Sequence, residues 1–335
     1  MTDPLSKLDA AARGKLKKRA QPPWLSPMLA TLTHEYFSDP KWIFERKLDG
    51  ERCLAFRRGD DLRLMSRNQK TMNDQYPELV AALRKQPAHD FIVDGEIVAF
   101  EGALTSFERL QNRMHVSNPS PSLVRDTPVY YYLFDLLYLN GYDTTHLPLR
   151  DRKRLLKAAF SFKHPLRFTI HRNRAGLDFY HQACKDGWEG LIAKRADSRY
   201  LGKRSTDWLK FKCVNEQEFV IGGYTDPQGS RVGFGALLIG CYEGGELRYA
   251  GKVGTGYDDE TLERLSETLS RIETKKRPFV DGDFPRKGVH WVKPELVCQV
   301  GFTEWTPDGK LRHPRFLGLR DDKDPRDVVR ERPGG

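Results

Sequence analysis

The chain has 335 residues, enough for two domains of ordinary size. Its 56 Lys and Arg against 46 Asp and Glu give a net charge of +10. That excess favours a polyanionic partner, nucleic acid before a membrane surface, because basic surfaces gain from counterion release. No apolar run of signal-peptide length opens the chain, and none approaches the ~18 apolar residues of a membrane span. Cys53, Cys184, Cys213, Cys241 and Cys298 are scattered, without a C-x-x-C pair. This argues against a zinc module and a disulfide framework, and for free thiols in a reducing cytoplasm.

Residues 1–23 are polar and basic, ending in Lys15-Leu16-Lys17-Lys18-Arg19, and read as a mobile tail. The folded chain begins near Trp24. Residues 42–47 read as a strand and 52–57 as its hairpin partner, with Asp49-Gly50 as the turn between them; 62–66 gives a third strand. Lys47 therefore sits at a strand end, a rigid place for a nucleophile once its proton is removed. A plain hairpin with solvated charges fits the same six residues, Lys47-Leu48-Asp49-Gly50-Glu51-Arg52. Further strands are read at 91–100, Val129–Leu139, 191–195 and 208–213, with a helix at 149–160. The chain to residue 214 is thus mixed α+β with mostly antiparallel strands.

Several polar groups interrupt these strands. Asp94-Gly95-Glu96 lies between Ile92-Val93 and Ile97-Val98, where a carboxylate is costly unless paired; a bulge with solvated acids is the bland alternative. Trp188-Glu189-Gly190 leads into an apolar strand that ends in Lys194. Lys210 and Lys212 share one strand face, as on a surface strand or around phosphates. Tyr130 to Phe134 is an aromatic run suited to core packing, with one ring available as a base platform. Gly251-Lys252-Val253-Gly254-Thr255-Gly256 lacks the P-loop spacing and reads as a strand end and turn.

After residue 215 the texture changes to short glycine-rich strands at 218–224, 236–242 and 247–253. One helix follows, capped by Asp258 or Asp259, with Leu262, Leu265, Leu269 and Ile272 on one face. Strands near Trp291, at 295–306 and at Arg315–Leu319 complete the set. Five short strands with one helix suggest an OB-fold β-barrel over 215–324, followed by a tail at 325–335.

Taken in order, these pieces resemble the ATP-dependent DNA ligases over about residues 24–323. Lys47 to Arg52 resembles the nucleotide-binding signature, Ser66-Arg67-Asn68 the next motif and Asp94-Gly95-Glu96 the third. Phe134-Asp135, Glu189-Gly190 with Lys194, and Lys210-Phe211-Lys212 are similar to those that follow. Arg312-His313-Pro314-Arg315-Phe316-Leu317-Gly318-Leu319-Arg320-Asp321-Asp322-Lys323 looks like the C-terminal motif of the bacterial ligase D group, which joins breaks in non-homologous end joining with Ku.

The resemblance implies a nucleotidyltransferase (adenylation) domain at 24–214 ahead of the barrel, and ATP with Mg²⁺ or Mn²⁺ as cofactors. Lys47 would carry AMP. Arg52 and Arg67 would contact the ribose, phosphate or nick; Glu96 would hold the ribose or a metal, and Glu189 a metal. Phe134 would stack on adenine, and Lys194, Lys210 and Lys212 would hold phosphates. Glu45, two residues before the lysine, joins the nucleotide-binding set, and Arg320 and Lys323 would assist from the barrel. Neighbouring cations and a metal would lower the Lys47 pKa from its ordinary value of roughly 10.4. The partners implied are broken or nicked DNA and Ku, with the chain a cytoplasmic monomer. The polymerase and phosphoesterase modules of full ligase D are absent from this sequence. An RNA ligase or capping-type nucleotidyltransferase, an NAD-dependent ligase and a non-enzymatic OB-type nucleic-acid binder stay open at this point.

Overall fold

Strands rich in Val, Ile, Leu and aromatic residues build the chain up to Cys213 into two sheets, and the segment from Val214 to Glu331 forms a second unit. The computed structural model describes residues 3–227, 229, 231–284 and 287–331.

The larger sheet of the first unit runs in the order Lys17–Lys18, Tyr142–Asp143, Val129–Leu139, Asp90–Glu101, Glu51–Arg58, Asp61–Ser66. Leu166–Phe168 and Leu104–Thr105 pair at its sides. The smaller sheet runs His171–Asn173, Trp42–Arg46, Gly190–Arg195, Arg204–Lys212, Leu29–Leu32. Pairing is mostly antiparallel; Leu166–Phe168 and Leu29–Leu32 add in parallel.

Strand alternation gives each sheet two distinct faces. One face of the larger sheet sends Cys53, Ala55, Val93, Ile97 and Leu133 into the main core, with leucines of the helices Pro77–Arg84 and Leu149–Ala159. Its other face brings Leu54, Phe56, Ile92 and Phe134 together with Trp208 of the smaller sheet. The smaller sheet turns Phe44, Leu191, Ala193 and Phe211 the other way, onto Phe179 and Ala183 of the helix Gly176–Lys185. Glu45, Lys194 and Lys210 are therefore left on the face that meets the larger sheet.

Three expectations are corrected. Trp42–Arg46 and Glu51–Arg58 are not a hairpin: they lie in different sheets, and residues 47–50 cross from one to the other. The N-terminal segment is not a mobile tail. Leu8 and Ala12 are buried in the main core, Lys17–Lys18 pairs with Tyr142–Asp143, and the Gln21 amide donates to the carbonyls of Arg57 and Phe91. Nor are all the cysteines free. The Gly176–Lys185 helix packs beside the end of Arg204–Lys212, which brings the Cα atoms of Cys184 and Cys213 to 5.1 Å and joins them in a disulfide. Cys53, Cys241 and Cys298 are buried and take no part in a disulfide.

The second unit is an OB-type unit. Its sheet runs Glu246–Val253, Leu237–Glu243, Asn215–Thr225, Val289–Phe302, Glu273–Thr274, with Arg315–Leu319 also on Val289–Phe302. Asp258 caps the helix Asp259–Arg271 by accepting from the Thr261 N–H, and Leu262, Leu265 and Leu269 fill the core. The expected C-terminal tail is part of this unit as far as Glu331: Val328 is buried and its carbonyl accepts from the Tyr242 N–H at 2.8 Å. Residues 332–335 lie outside the described residues.

Candidate active site

Lys47 follows the last residue of Trp42–Arg46, and its N–H donates to the Gly190 carbonyl at 2.9 Å. The chain then leaves the smaller sheet. Asp49 donates its N–H to the Thr105 hydroxyl at 3.2 Å. Gly50 lies so close to the larger sheet that a Cβ there would sit 2.2 Å from the Ile97 carbonyl oxygen and 2.7 Å from Val98 Cγ1. The glycine of the signature is thus fixed by close approach of backbone to backbone.

A second glycine sets the carboxylate. Gly190 has φ +143°, and a Cβ would lie 1.9 Å from the Phe211 carbonyl oxygen. This conformation brings Glu189 beside Lys47, and Lys47 Nζ forms an ion pair with Glu189 Oε1. The other oxygen, Oε2, is buried with no hydrogen-bond partner. Burial works to lower the Lys47 pKa, but the Glu189 carboxylate, with Asp49 and Glu96 behind it, outweighs burial and holds the ammonium above its ordinary range. The lowering expected from neighbouring cations is therefore reversed here: the groups that dominate around the amine are carboxylates.

Arg52 faces the same space from the larger sheet. Its guanidinium binds Asp94 through both oxygens, each at 2.6 Å, and donates to the Met28 carbonyl at 3.2 Å. Asp94 is fully buried and also accepts from the Tyr200 hydroxyl at 2.6 Å. The carboxylate inside the apolar strand is thus paired, and the strand is irregular there as well, with a register shift beside Asp94. Glu96, on the same strand, stands opposite Arg52 and Tyr132. The Arg52 guanidinium lies 4.6 Å from the Phe134 ring centroid. Arg67 occupies the tight turn after Asp61–Ser66, closed by Ser66 and Lys70.

Lys194, expected at the phosphates, is buried. Its Nζ is 2.6 Å from Glu45 Oε2 and 4.1 Å from the centroids of both Phe134 and Trp208. It belongs with the aromatic platform. Lys210 and Lys212 are half-buried and sit opposite Ile192 and Gly190, on the far side of Gly190–Arg195 from the strand Trp42–Arg46. Lys47, Glu189, Arg52, Glu96, Phe134, Lys194, Lys210 and Lys212 thus all lie in the first unit, on or beside its two facing sheets. Arg320 and Lys323 belong to the second unit. Arg320 is buried and bound by both Asp322 oxygens, at 2.8 and 2.9 Å, and Lys323 lies 3.2 Å from Glu218.

Sequence reasoning missed Asp94 as the partner of Arg52 and Tyr200 as the donor to Asp94, and Trp208 and Lys153 as neighbours of Lys194. The first pair is signalled by a carboxylate in surroundings too apolar for it to stand alone; Trp208 depends on strand register and Lys153 on how its helix packs, neither of which the sequence reveals.

A half-buried lysine just past a strand end, paired to a carboxylate with an unpartnered oxygen and flanked by an arginine and an aromatic platform, is the arrangement expected of a covalent nucleotidyltransferase. The family model described as ATP dependent DNA ligase domain matches residues 27–212, and that described as ATP dependent DNA ligase C terminal region matches 230–323. The chain belongs to the ATP-dependent DNA ligase family. It is 38% identical over 334 residues to the multifunctional non-homologous end joining protein LigD of Pseudomonas aeruginosa, covering 97% of this chain and 39% of that protein. To the LigD of Mycobacterium tuberculosis H37Rv it is 40% identical over 316 residues, covering 92% and 40%. It therefore spans about two fifths of these relatives' length. A solved mycobacterial DNA ligase D, complexed with ATP and MES, superposes with a TM-score of 0.64 at 38% identity over 92% of this chain and 98% of that one.

Proposed function

We propose that this chain is an ATP-dependent DNA ligase that seals nicks or breaks in duplex DNA through a lysyl-AMP intermediate. The observation that carries the reading is Lys47, held at the seam of two sheets against a carboxylate whose second oxygen is unpartnered. In the first step neutral Lys47 Nζ attacks the α-phosphorus of ATP, a P–N bond forms and pyrophosphate leaves. The AMP then passes to a 5′-phosphate, freeing the amine. Finally a 3′-hydroxyl attacks that phosphate, AMP leaves and the strand is sealed.

The donor set fits a divalent cation in part. Glu189 Oε2 is a buried acceptor without a hydrogen-bond partner, while among the described residues no three His, Cys, Asp or Glu side chains cluster to hold a metal. A hard cation that keeps most of its waters and takes one or two carboxylates plus nucleotide phosphates suits such a site. Glu189 and Glu96 would hold Mg²⁺ or Mn²⁺, which when bound supplies charge neutralisation at the phosphates. Lys47 must give up its proton before it attacks, and withdrawal of the Glu189 carboxylate from the amine would favour that loss. Lys210 and Lys212 would receive the phosphates, Phe134 the base, and Arg52, Arg67 and Glu45 the rest of the nucleotide or the nick. Arg320 and Lys323 would assist the first step.

By likeness to end-joining relatives, the work proposed is double-strand break repair, by a monomer in the bacterial cytoplasm with Ku as partner. Incubation with α-labelled ATP tests the reading. Label must appear on the wild-type chain and vanish from Lys47→Ala and Lys47→Arg, since arginine does not give up its proton. Nicked DNA offered with ATP, GTP or NAD must be sealed with ATP. Sealing with NAD alone, or label on Lys47→Ala, overturns it.

A further inference from the structure

We propose that Lys153, on the helix Leu149–Ala159 and outside every motif of the site, is a positioning residue for the nucleotide: it anchors Glu45, and Glu45 fixes Lys194 against the Phe134 ring. The assignment rests on the reading that Phe134 and Lys194 serve ATP.

The contacts form one continuous chain. The Thr169 carbonyl accepts from Lys153 Nζ at 3.0 Å. Lys153 Nζ donates to Glu45 Oε1 at 2.5 Å, and Lys194 Nζ lies 2.6 Å from Glu45 Oε2. Each carboxylate oxygen thus has its own ammonium, and all three side chains are 2% exposed. Lys194 then stands between the faces of Phe134 and Trp208. A single residue, Arg46, separates Glu45 from Lys47, so the linkage begins on the strand that leads into the nucleophile.

Charge counting separates this arrangement from a plain buried ion pair. One carboxylate with two ammonium groups leaves a positive charge in excess, and a buried excess charge is costly. Asp135 lies near Lys194, but both its oxygens are engaged by Arg152, at 2.7 and 2.9 Å. The aromatic faces take up part of the surplus. The remainder suits an electron-rich group arriving at the Phe134 side. A purely structural site would need only one lysine.

The other groups facing Glu45 do not replace Lys153. His171, its neighbour on the adjacent strand, is held towards the neutral form by burial and then by Lys153. Arg150 also bears on His171 and hydrogen-bonds Asn173. Burial alone would raise the Glu45 carboxyl; the two lysines outweigh it and keep the group below the usual carboxylate range. Loss of Lys153 leaves one cation against the same burial. Glu45 then takes up a proton as the pH falls, and Lys194 loses its counter-ion.

The test uses the full chain and α-labelled ATP. Rates of label transfer are measured against ATP concentration between about pH 6 and pH 8 for wild type, Lys153→Met and Lys153→Arg, with melting temperatures alongside. For Lys153→Met the KM for ATP rises about tenfold at the acid end, as expected for a lost charge-assisted contact, and recovers as the pH rises. Its kcat changes less, and Lys153→Arg stays near wild type. Glu45→Gln, a neutral carboxamide at every pH, raises KM throughout the range and keeps the test open if Lys153→Met does not fold. A Lys153→Met that melts lower but keeps the wild-type KM and its pH profile overturns the assignment, as does a Glu45→Gln with wild-type KM. Absence of label on the wild-type chain overturns the ligase reading beneath it instead.

Discussion

Lys47 is the residue whose chemistry the fold most clearly shapes. Its amine meets Glu189 directly and Asp49 and Glu96 electrostatically, so in the absence of ligands it is an ammonium above the ordinary lysine range. The sign of a change follows. Glu189→Gln removes the dominant favourable charge and leaves burial, which acts to lower the pKa. In metal-free protein, acylation of Lys47 by an amine reagent is expected to begin at a pH lower by at least about one unit in Glu189→Gln than in wild type. Peptide mapping of the modified lysine reads this directly, and an unchanged profile would show that Glu189 does not control the amine. Arg52 makes a parallel case. Asp94→Ala leaves its guanidinium with a partner missing and is expected to cost about 3–5 kcal/mol of stability, measurable by denaturant unfolding.

At the scale of elements, the N-terminal segment decides more than its composition suggests. Leu8 is 2% exposed and packs in the main core, and Gln21 satisfies two carbonyls of the larger sheet. Leu8→Ala is expected to cost about 2–5 kcal/mol, and removal of residues 1–22 to lower the melting temperature of the first unit along with any labelling activity. A truncated chain that melts like the whole one would refute this. The sequence showed why the segment is easily misread: Lys15, Lys17, Lys18 and Arg19 dominate its texture, while its two buried apolar anchors are only Leu8 and Ala12. Strand positions were legible because alternation and apolar runs are strong at Val129–Leu139, Asp90–Glu101 and Gly190–Arg195. Their pairing was not. An Asp-Gly between two strands usually closes a hairpin, and only the crowding of Gly50 against Ile97 and Val98 reveals a crossing between sheets. The helix Gly176–Lys185 escaped notice because it lacks a side-chain cap, and the disulfide it carries depends on packing that no spacing rule records. The site motifs were legible as residues, whereas Lys153 and Tyr200 become visible only through contacts with residues far away in the chain.

For the molecule as a whole, charge and the second unit set the expectations. A net charge of +10 predicts that affinity for nicked duplex falls steeply with salt, by tenfold or more between about 50 and 200 mM, with little dependence on sequence. Fluorescence anisotropy across that range checks it, and a flat response would place the basic surplus elsewhere. In the second unit, the Asp322 carboxyl is pushed up by burial, but Arg320 and then Lys323 outweigh this and hold it below the ordinary range. That contribution to stability is full above the unfolded aspartate value and is lost as pH falls through the lowered folded one. Arg320→Ala is therefore expected to destabilise this unit by about 3–5 kcal/mol, because it strands a buried carboxylate. Lys323→Ala touches a shallower pair and is the cleaner probe of the first chemical step. Slower labelling in Lys323→Ala at unchanged melting temperature would support the catalytic role; normal labelling would remove it.

The four-residue crossing from Lys47 to Gly50 has a practical consequence. Neither sheet alone encloses the amine: the smaller one supplies its backbone partner and Glu189 stands beside it, while the larger one closes over Gly50. A molecule in which either sheet has opened carries only an ordinary solvated lysine at that position, indistinguishable from the many others on its surface. Under the ligase reading, the amplitude of the first burst of label from ATP then counts intact molecules one by one. A preparation can be titrated by its own chemistry, and the labelled fraction becomes a gauge of how much of it is natively folded.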